Sequence, residues 1–216
     1  MRESRREHWQ SFWAEAERLS LEDVYDNDGR ILREIFAVVP PEGLRVLEVG
    51  AGTGRDSLAL AAAGAEVVTL DYAPESLRLI HSTAADTGAA VRVVGGDGLR
   101  LPFADASFDL VFHQGLLEHF RDPIALLEEN VRVLRPGGLL LVDVPQRWHY
   151  YTVGKHLLML VDRWFAGWET EFTVGELESL LRRAGCEPIR SYGDWMVPGL
   201  WYRALRKLLL KTTGLR

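Results

Sequence analysis

The 216-residue chain has one cysteine, Cys186, so no intramolecular disulfide can staple the fold. In the run A-G-C-E-P this cysteine is expected as a small buried residue, not a nucleophile. Long apolar runs are also missing: no stretch approaches the roughly 20 residues that a membrane-spanning helix requires. The first residues, rich in Arg and Glu, lack the apolar core of a secretory signal. These absences predict a soluble, cytoplasmic protein. Basic residues are in the minority, 25 Lys and Arg against 31 Asp and Glu, for a net charge of -6. No broadly basic surface is available for nucleic acid, so no nucleic-acid partner is expected. Repeats and low-complexity linkers are absent as well. With 47% hydrophobic and 26% charged residues, the length suits one domain around one substantial core.

What is present begins at residues 46–56, V-L-E-V-G-A-G-T-G-R-D. Val46, Leu47 and Val49 form a β-rich run suited to a strand buried on both faces. Gly50, Gly52 and Gly54 then allow a sharp turn and a close backbone approach to a ligand, while the helix expected over 56–63 offers free N–H groups. That strand, turn and helix start is a geometry that seats an adenosyl cofactor. A second strand over 66–70 ends in Asp71, whose carboxylate can accept both hydroxyls of an adenosine ribose. A third, over 91–94, runs into G-G-D-G, so that Asp97 reaches the same edge, where it can accept from the adenine amino group. A nicotinamide-binding turn places its third glycine five residues beyond the first, where helix and strand pack closely. Arg55 holds that position here, which disfavours a dehydrogenase.

As a set, V-L-E-V-G-A-G-T-G, T-L-D-Y, G-D-G-L-R-L-P-F-A-D-A-S-F-D-L-V and V-L-R-P-G-G-L-L-L-V-D-V-P resemble the class I S-adenosylmethionine-dependent methyltransferases, in particular their small-molecule group. The resemblance covers residues 44–186 and implies an α/β fold: a doubly wound, Rossmann-like, mostly parallel seven-stranded sheet with helices on both faces. S-adenosylmethionine would lie along its carboxyl edge, lined by Glu48, Gly50, Ala51, Gly52, Asp71, Tyr72, Asp97, Gly98 and Gln114. Glu48 stands where the family usually has Asp and keeps a carboxylate near the cofactor's amino group. Residues 1–43 would form a helical lid, 44–144 the cofactor-binding core, 145–172 an acceptor-pocket insertion and 173–216 the closing elements.

Within that lid, helices are expected over 7–19 and 30–38, and Arg30 is positioned to pair with the methionyl carboxylate. The fourth strand, 108–113, delivers Gln114 and Gly115 to the cleft edge. A turn at 135–138 leads into the fifth, 139–144. The insertion is dense in aromatics, among them Trp148, Tyr150, Tyr151, Trp164, Phe165 and Trp168. Thr173 and Glu176 have the spacing of a capping box opening another helix. Residues 200–216 carry Arg203, Arg206, Lys207, Lys211 and Arg216 opposite a Trp and Leu face, a pattern suited either to peripheral contact with an anionic membrane or to closing core structure.

Methyl transfer from a sulfonium is an in-line displacement that rests chiefly on proximity and orientation. A hydroxyl acceptor would also benefit from a base, and His119 and His149, just beyond the fourth and fifth strands, are the two histidines best placed for it. L-E-H at 117–119 is similar to part of a metal-binding motif in certain quinone and RNA-end methyltransferases, but Gly115 replaces the motif's additional glutamate, and no metal is expected. The expected activity is methylation of a small-molecule acceptor, a hydroxyl on an aromatic or lipid-like compound. The alternatives are a nucleic-acid or protein methyltransferase, for which an N/D-P-P-Y/F target-base motif is missing, and a non-catalytic cofactor-binding module.

Overall fold

Val46, Leu47, Glu48 and Val49 are all buried after an exposed Arg45, because β1 (Arg45–Val49) is the central strand of a sheet covered on both faces. The computed structural model describes residues 9, 29–160 and 169–193. Among them β2 (Glu66–Asp71), β3 (Val91–Gly95), β4 (Phe108–Gln114) and β5 (Leu134–Asp143) join β1 in the order β3-β2-β1-β4-β5, every pair parallel. The order in which successive strands are added reverses between β1 and β4. In such sheets that reversal opens a crevice beyond the carboxyl ends of the strands.

One face is covered by α1 (Arg30–Val38) and α2 (Arg55–Ala62), through Ile31, Ile35 and Leu60 against Val46, Leu110 and Phe112. Leu126, Leu127 and Val133 of α4 (Pro123–Val133), with Leu177 and Leu181 of α6 (Val174–Arg183), cover the other against Leu47, Val49 and Val111. Between β2 and β3, α3 (Pro74–Thr87) starts on Pro74 and stops at Gly88, in the left-handed region at φ 70°. Asp122 caps α4, accepting from the Ile124 N–H at 3.3 Å. The capping box of α6 forms as its spacing predicts: Thr173 and Glu176 each accept from the other's backbone N–H.

The sheet has five strands among the described residues, against seven expected. Residues 186–193 pair with no strand. Pro188 has no N–H to give a ladder, and side chains hold the segment instead, with Arg190 on Glu34 at 2.7 Å and Ser191 on Glu178 at 2.7 Å. Residues 194–216, including the basic amphipathic stretch, lie outside the described residues, as does most of the expected 7–19 helix. The turn expected at 135–138 is instead a bulge inside β5. Phe108 pairs with Leu134 and Leu110 with Leu139, so these four residues oppose Asp109 alone, and Gly137 takes φ 76°.

Candidate active site

The glycine turn is fastened to the end of the neighbouring strand. Gly50 and Ala51 donate to the Leu70 carbonyl at 2.8 and 3.1 Å, and Gly52 donates to Asp71 Oδ2 at 2.9 Å. Gly50, Gly52 and Gly54 have φ of 68°, 54° and 67°, a region that side chains disfavour. Space is limited too, since a Cβ on Gly50 would come 2.9 Å from Leu116 Cδ1 and one on Gly54 2.9 Å from Ile80 Cγ1. Ser76 Oγ closes the arrangement by donating to the Gly52 carbonyl at 2.6 Å. The sequence offered no sign of that role beyond a serine in a helix's first turn.

Asp71 is buried, and its other oxygen accepts from the Ala73 N–H at 2.9 Å. Burial raises its carboxyl above the ordinary range against the pull of these hydrogen bonds. Glu48, also buried, accepts from Ser57 Oγ at 2.5 Å. Burial and the nearby Asp56 charge push Glu48 up to about 8, so at neutral pH its carboxyl is largely protonated, not the standing anion expected from its sequence position. Asp97 is exposed at the end of β3, with Oδ1 accepting from the Leu99 N–H at 2.9 Å. The loop that carries it is pinned by α4: Leu101 N–H donates to Glu129 at 2.7 Å, and Arg132 donates to the Leu101 and Phe103 carbonyls at 3.1 and 2.9 Å.

Glu48, Gly50, Ala51 and Gly52 thus stand at the end of β1, Asp71 and Tyr72 at β2, Asp97 and Gly98 beyond β3, and Gln114 closes β4. All are gathered on one carboxyl edge.

Residues 47–142 match the family model described as a methyltransferase domain. A ubiquinone biosynthesis O-methyltransferase of Cereibacter sphaeroides is 32% identical over 177 residues, spanning 78% of this chain and 70% of that one. This chain belongs to the S-adenosylmethionine-dependent methyltransferases. A demethylmenaquinone methyltransferase of Parafrankia sp. is 43% identical over 116 residues, 46% of each chain. In fold, the methyltransferase is similar to an S-adenosylmethionine-dependent methyltransferase from Thermotoga maritima (TM-score 0.67, 24% identity, 84% of this chain and 81% of that one). It is also similar to the magnesium protoporphyrin IX methyltransferase of Synechocystis, solved with S-adenosylhomocysteine bound (TM-score 0.63, 18% identity, 87% of this chain and 77% of that one).

The methyltransferase's donor set fits its cofactor. The first N–H groups of α2 have no partner within the helix and border the glycine turn, and a carboxylate keeps acceptor capacity beyond the two backbone bonds that Asp71 already makes. Arg30, expected on the methionyl carboxylate, instead grips Asp143 at the end of β5 with both Nε (3.1 Å) and Nη2 (2.8 Å). Tyr192 donates to the same carboxylate at 2.7 Å.

Beyond β5 the insertion closes on itself. Phe172 N–H donates to the Pro145 carbonyl at 3.2 Å, and Arg147 N–H donates to the Phe172 carbonyl at 3.0 Å. Between these points lies α5 (Tyr150–Leu160). Its Lys155 is fully buried and bridges Glu169, at 3.2 Å, and Glu171. Thr170 N–H donates to the Glu118 carbonyl at 2.9 Å, so the insertion is bound to the turn after β4. Trp148 is 78% exposed and faces solvent, not a pocket; Trp164, Phe165 and Trp168 lie outside the described residues. His119 is half-buried beside the edge, with the Trp9 ring edge-on to it at 4.9 Å. His149 stands at the start of α5, partly buried, and burial lowers its pKa. Among the described residues, no group of three or more His, Cys, Asp or Glu is placed to hold a metal ion, and no helix is long and apolar enough to cross a membrane.

Proposed function

We propose that the enzyme methylates a hydroxyl group on a quinone-related aromatic compound in the cytoplasm. The observation that carries this reading is the insertion. Lys155 ties its two sides together through Glu169 and Glu171, and Thr170 fastens it to the turn after β4, beside the carboxyl edge where the proposed cofactor residues gather, so a planar acceptor would lie between the insertion and that edge. The O-methyltransferase named for ubiquinone biosynthesis, alike over most of this chain, supports an oxygen acceptor on such a ring.

The cofactor brings an activated methyl group, and the chain's own residues provide binding and alignment. Asp71 offers acceptors to ribose hydroxyls, Asp97 stands at the adenine end, and Glu48 with Gln114 borders the methionine end. Orientation of two bound partners is worth about 7 to 11 kcal/mol in well-aligned reactions, enough to carry most of the acceleration. His119 and His149 both stand on the acceptor side. An assay with labelled S-adenosylmethionine and a panel of catechols and hydroquinones tests the reading: a methyl ether product supports it, and turnover confined to other acceptor classes overturns it.

The demethylmenaquinone methyltransferase similarity, over less than half of each chain, favours a second reading in which a ring carbon is the acceptor. Product analysis separates an ether from a ring-methylated compound.

A further inference from the structure

Four carboxyl groups come together where the insertion meets the sheet edge, and three of them have cationic partners. Asp143 is held by Arg30, and Glu169 and Glu171 by Lys155. The fourth, Glu118, is only 3% exposed, and its Oε2 has no hydrogen-bond partner among the described residues. It lies in the 3₁₀ turn after β4, where Gly115, at φ 63°, bends the chain back. Its Oε1 is 3.6 Å from where a Gly115 Cβ would stand, which puts the carboxyl group against the carboxyl end of β4, next to Gln114. A buried carboxyl oxygen left without a partner is costly to keep unless it has work to do.

We propose that Glu118 is the base that accepts the proton of the acceptor's hydroxyl group. This rests on the reading of a hydroxyl acceptor given above. As the acceptor oxygen bonds to the methyl carbon, the carbon–sulfur bond breaks with its electron pair remaining on sulfur, and the hydroxyl proton passes to Glu118 Oε2. The charged groups around it set its protonation. Burial raises its pKa well above the carboxylate range, Glu169 and Asp143 add to that rise, and its own backbone N–H and Lys155 oppose it. Arg30 and Tyr192 act on it through Asp143, and His119 is its neighbour in the turn. A carboxyl group so raised is better matched to a phenol than an ordinary one.

The test is Glu118→Gln, which preserves shape, with substituted catechols of graded acidity as acceptors. Turnover should fall about 100-fold or more for weakly acidic catechols and recover towards wild type for those already ionised in solution, while calorimetry finds cofactor affinity unchanged. The wild-type rate should fall on the acid side of its pH profile, and that limb should disappear in Glu118→Gln. Glu169→Gln removes a like charge and should move the limb to lower pH. Independently of turnover, infrared difference spectra taken as pH falls through that acid limb should show a protonated carboxyl band in the wild type, beyond the one Glu48 contributes, that Glu118→Gln lacks. Undiminished turnover by Glu118→Gln, or loss of wild-type activity on treatment with EDTA, would overturn the assignment. A wild type that methylates none of the catechols would overturn the acceptor reading, and this proposal with it.

Discussion

The Asp71 carboxylate reaches from the end of β2 to the glycine turn after β1 and accepts the Gly52 N–H at 2.9 Å. The residue we propose to accept the ribose hydroxyls therefore also holds the glycine turn in shape. Removing Asp71 should strike both.

Asp71→Ala is expected to weaken binding of S-adenosylhomocysteine by well over tenfold, since a hydrogen bond to a charged group contributes about 1.5 to 3 kcal/mol. Asp71→Asn should recover only part of this, because its amide nitrogen cannot accept a backbone N–H. Titration calorimetry on the folded variants measures both, and unchanged affinity would place the ribose elsewhere.

Glu48 makes cofactor-free stability depend on pH. Its pKa is raised from 4.5 to about 8 on folding, so the folded state holds a proton that the unfolded state releases between those values. The resulting stability is fully present below about 4.5 and is lost as pH rises through 8. Glu48→Gln should flatten this part of the profile in thermal unfolding experiments run from pH 5 to 9. A parallel decline in the variant would mean that another group is responsible.

His113 has the opposite sign. Buried in β4, with neither ring nitrogen partnered among the described residues, it is held down to about 4 by burial. Stability tied to its neutral form is present above pH 6.5 and is lost as pH falls through 4. His113→Leu should leave stability near neutral pH little changed or higher and should resist acid unfolding better than wild type, as followed by circular dichroism.

Lys155 is buried with its charge, so its substitution should be costly. Lys155→Met leaves Glu169 and Glu171 facing each other without their shared cation, and losing one partner of a buried pair costs about 3 to 5 kcal/mol. Urea unfolding should show this loss, and Lys155→Met with Glu169→Gln should regain part of it.

His119→Ala and His149→Ala are expected to retain turnover within about tenfold of wild type if Glu118 takes the proton. A loss of 100-fold or more in either, with cofactor affinity intact, would return the role to that histidine.

Much of the cofactor half was legible because backbone geometry writes itself into residue type. Left-handed turns favour glycine, which placed Gly50, Gly52 and Gly54, and β2, buried on both faces, reads as an apolar run ending in Asp71. The Thr173 and Glu176 box was legible for the same local reason. Interactions between distant segments left no such trace. Nothing near Arg30 announces Asp143, 113 residues away, and nothing in L-E-H shows that Glu118 turns inward. The protonation of Glu48 was hidden too, since it follows from burial beside Asp56 and not from the identity of the residue. Residues 135–138 misled because a proline and two glycines suit a bulge as well as a turn.

The meeting of Pro145 and Arg147 with Phe172 gives the insertion a single neck. A loop whose ends are already joined can be lengthened, shortened or exchanged at little entropic cost to the sheet beneath it. Segments grafted between Arg147 and Phe172 would then inherit an intact methyl-donor site, so new acceptor preferences could arise by exchange of this cassette while β1 to β4 remain untouched.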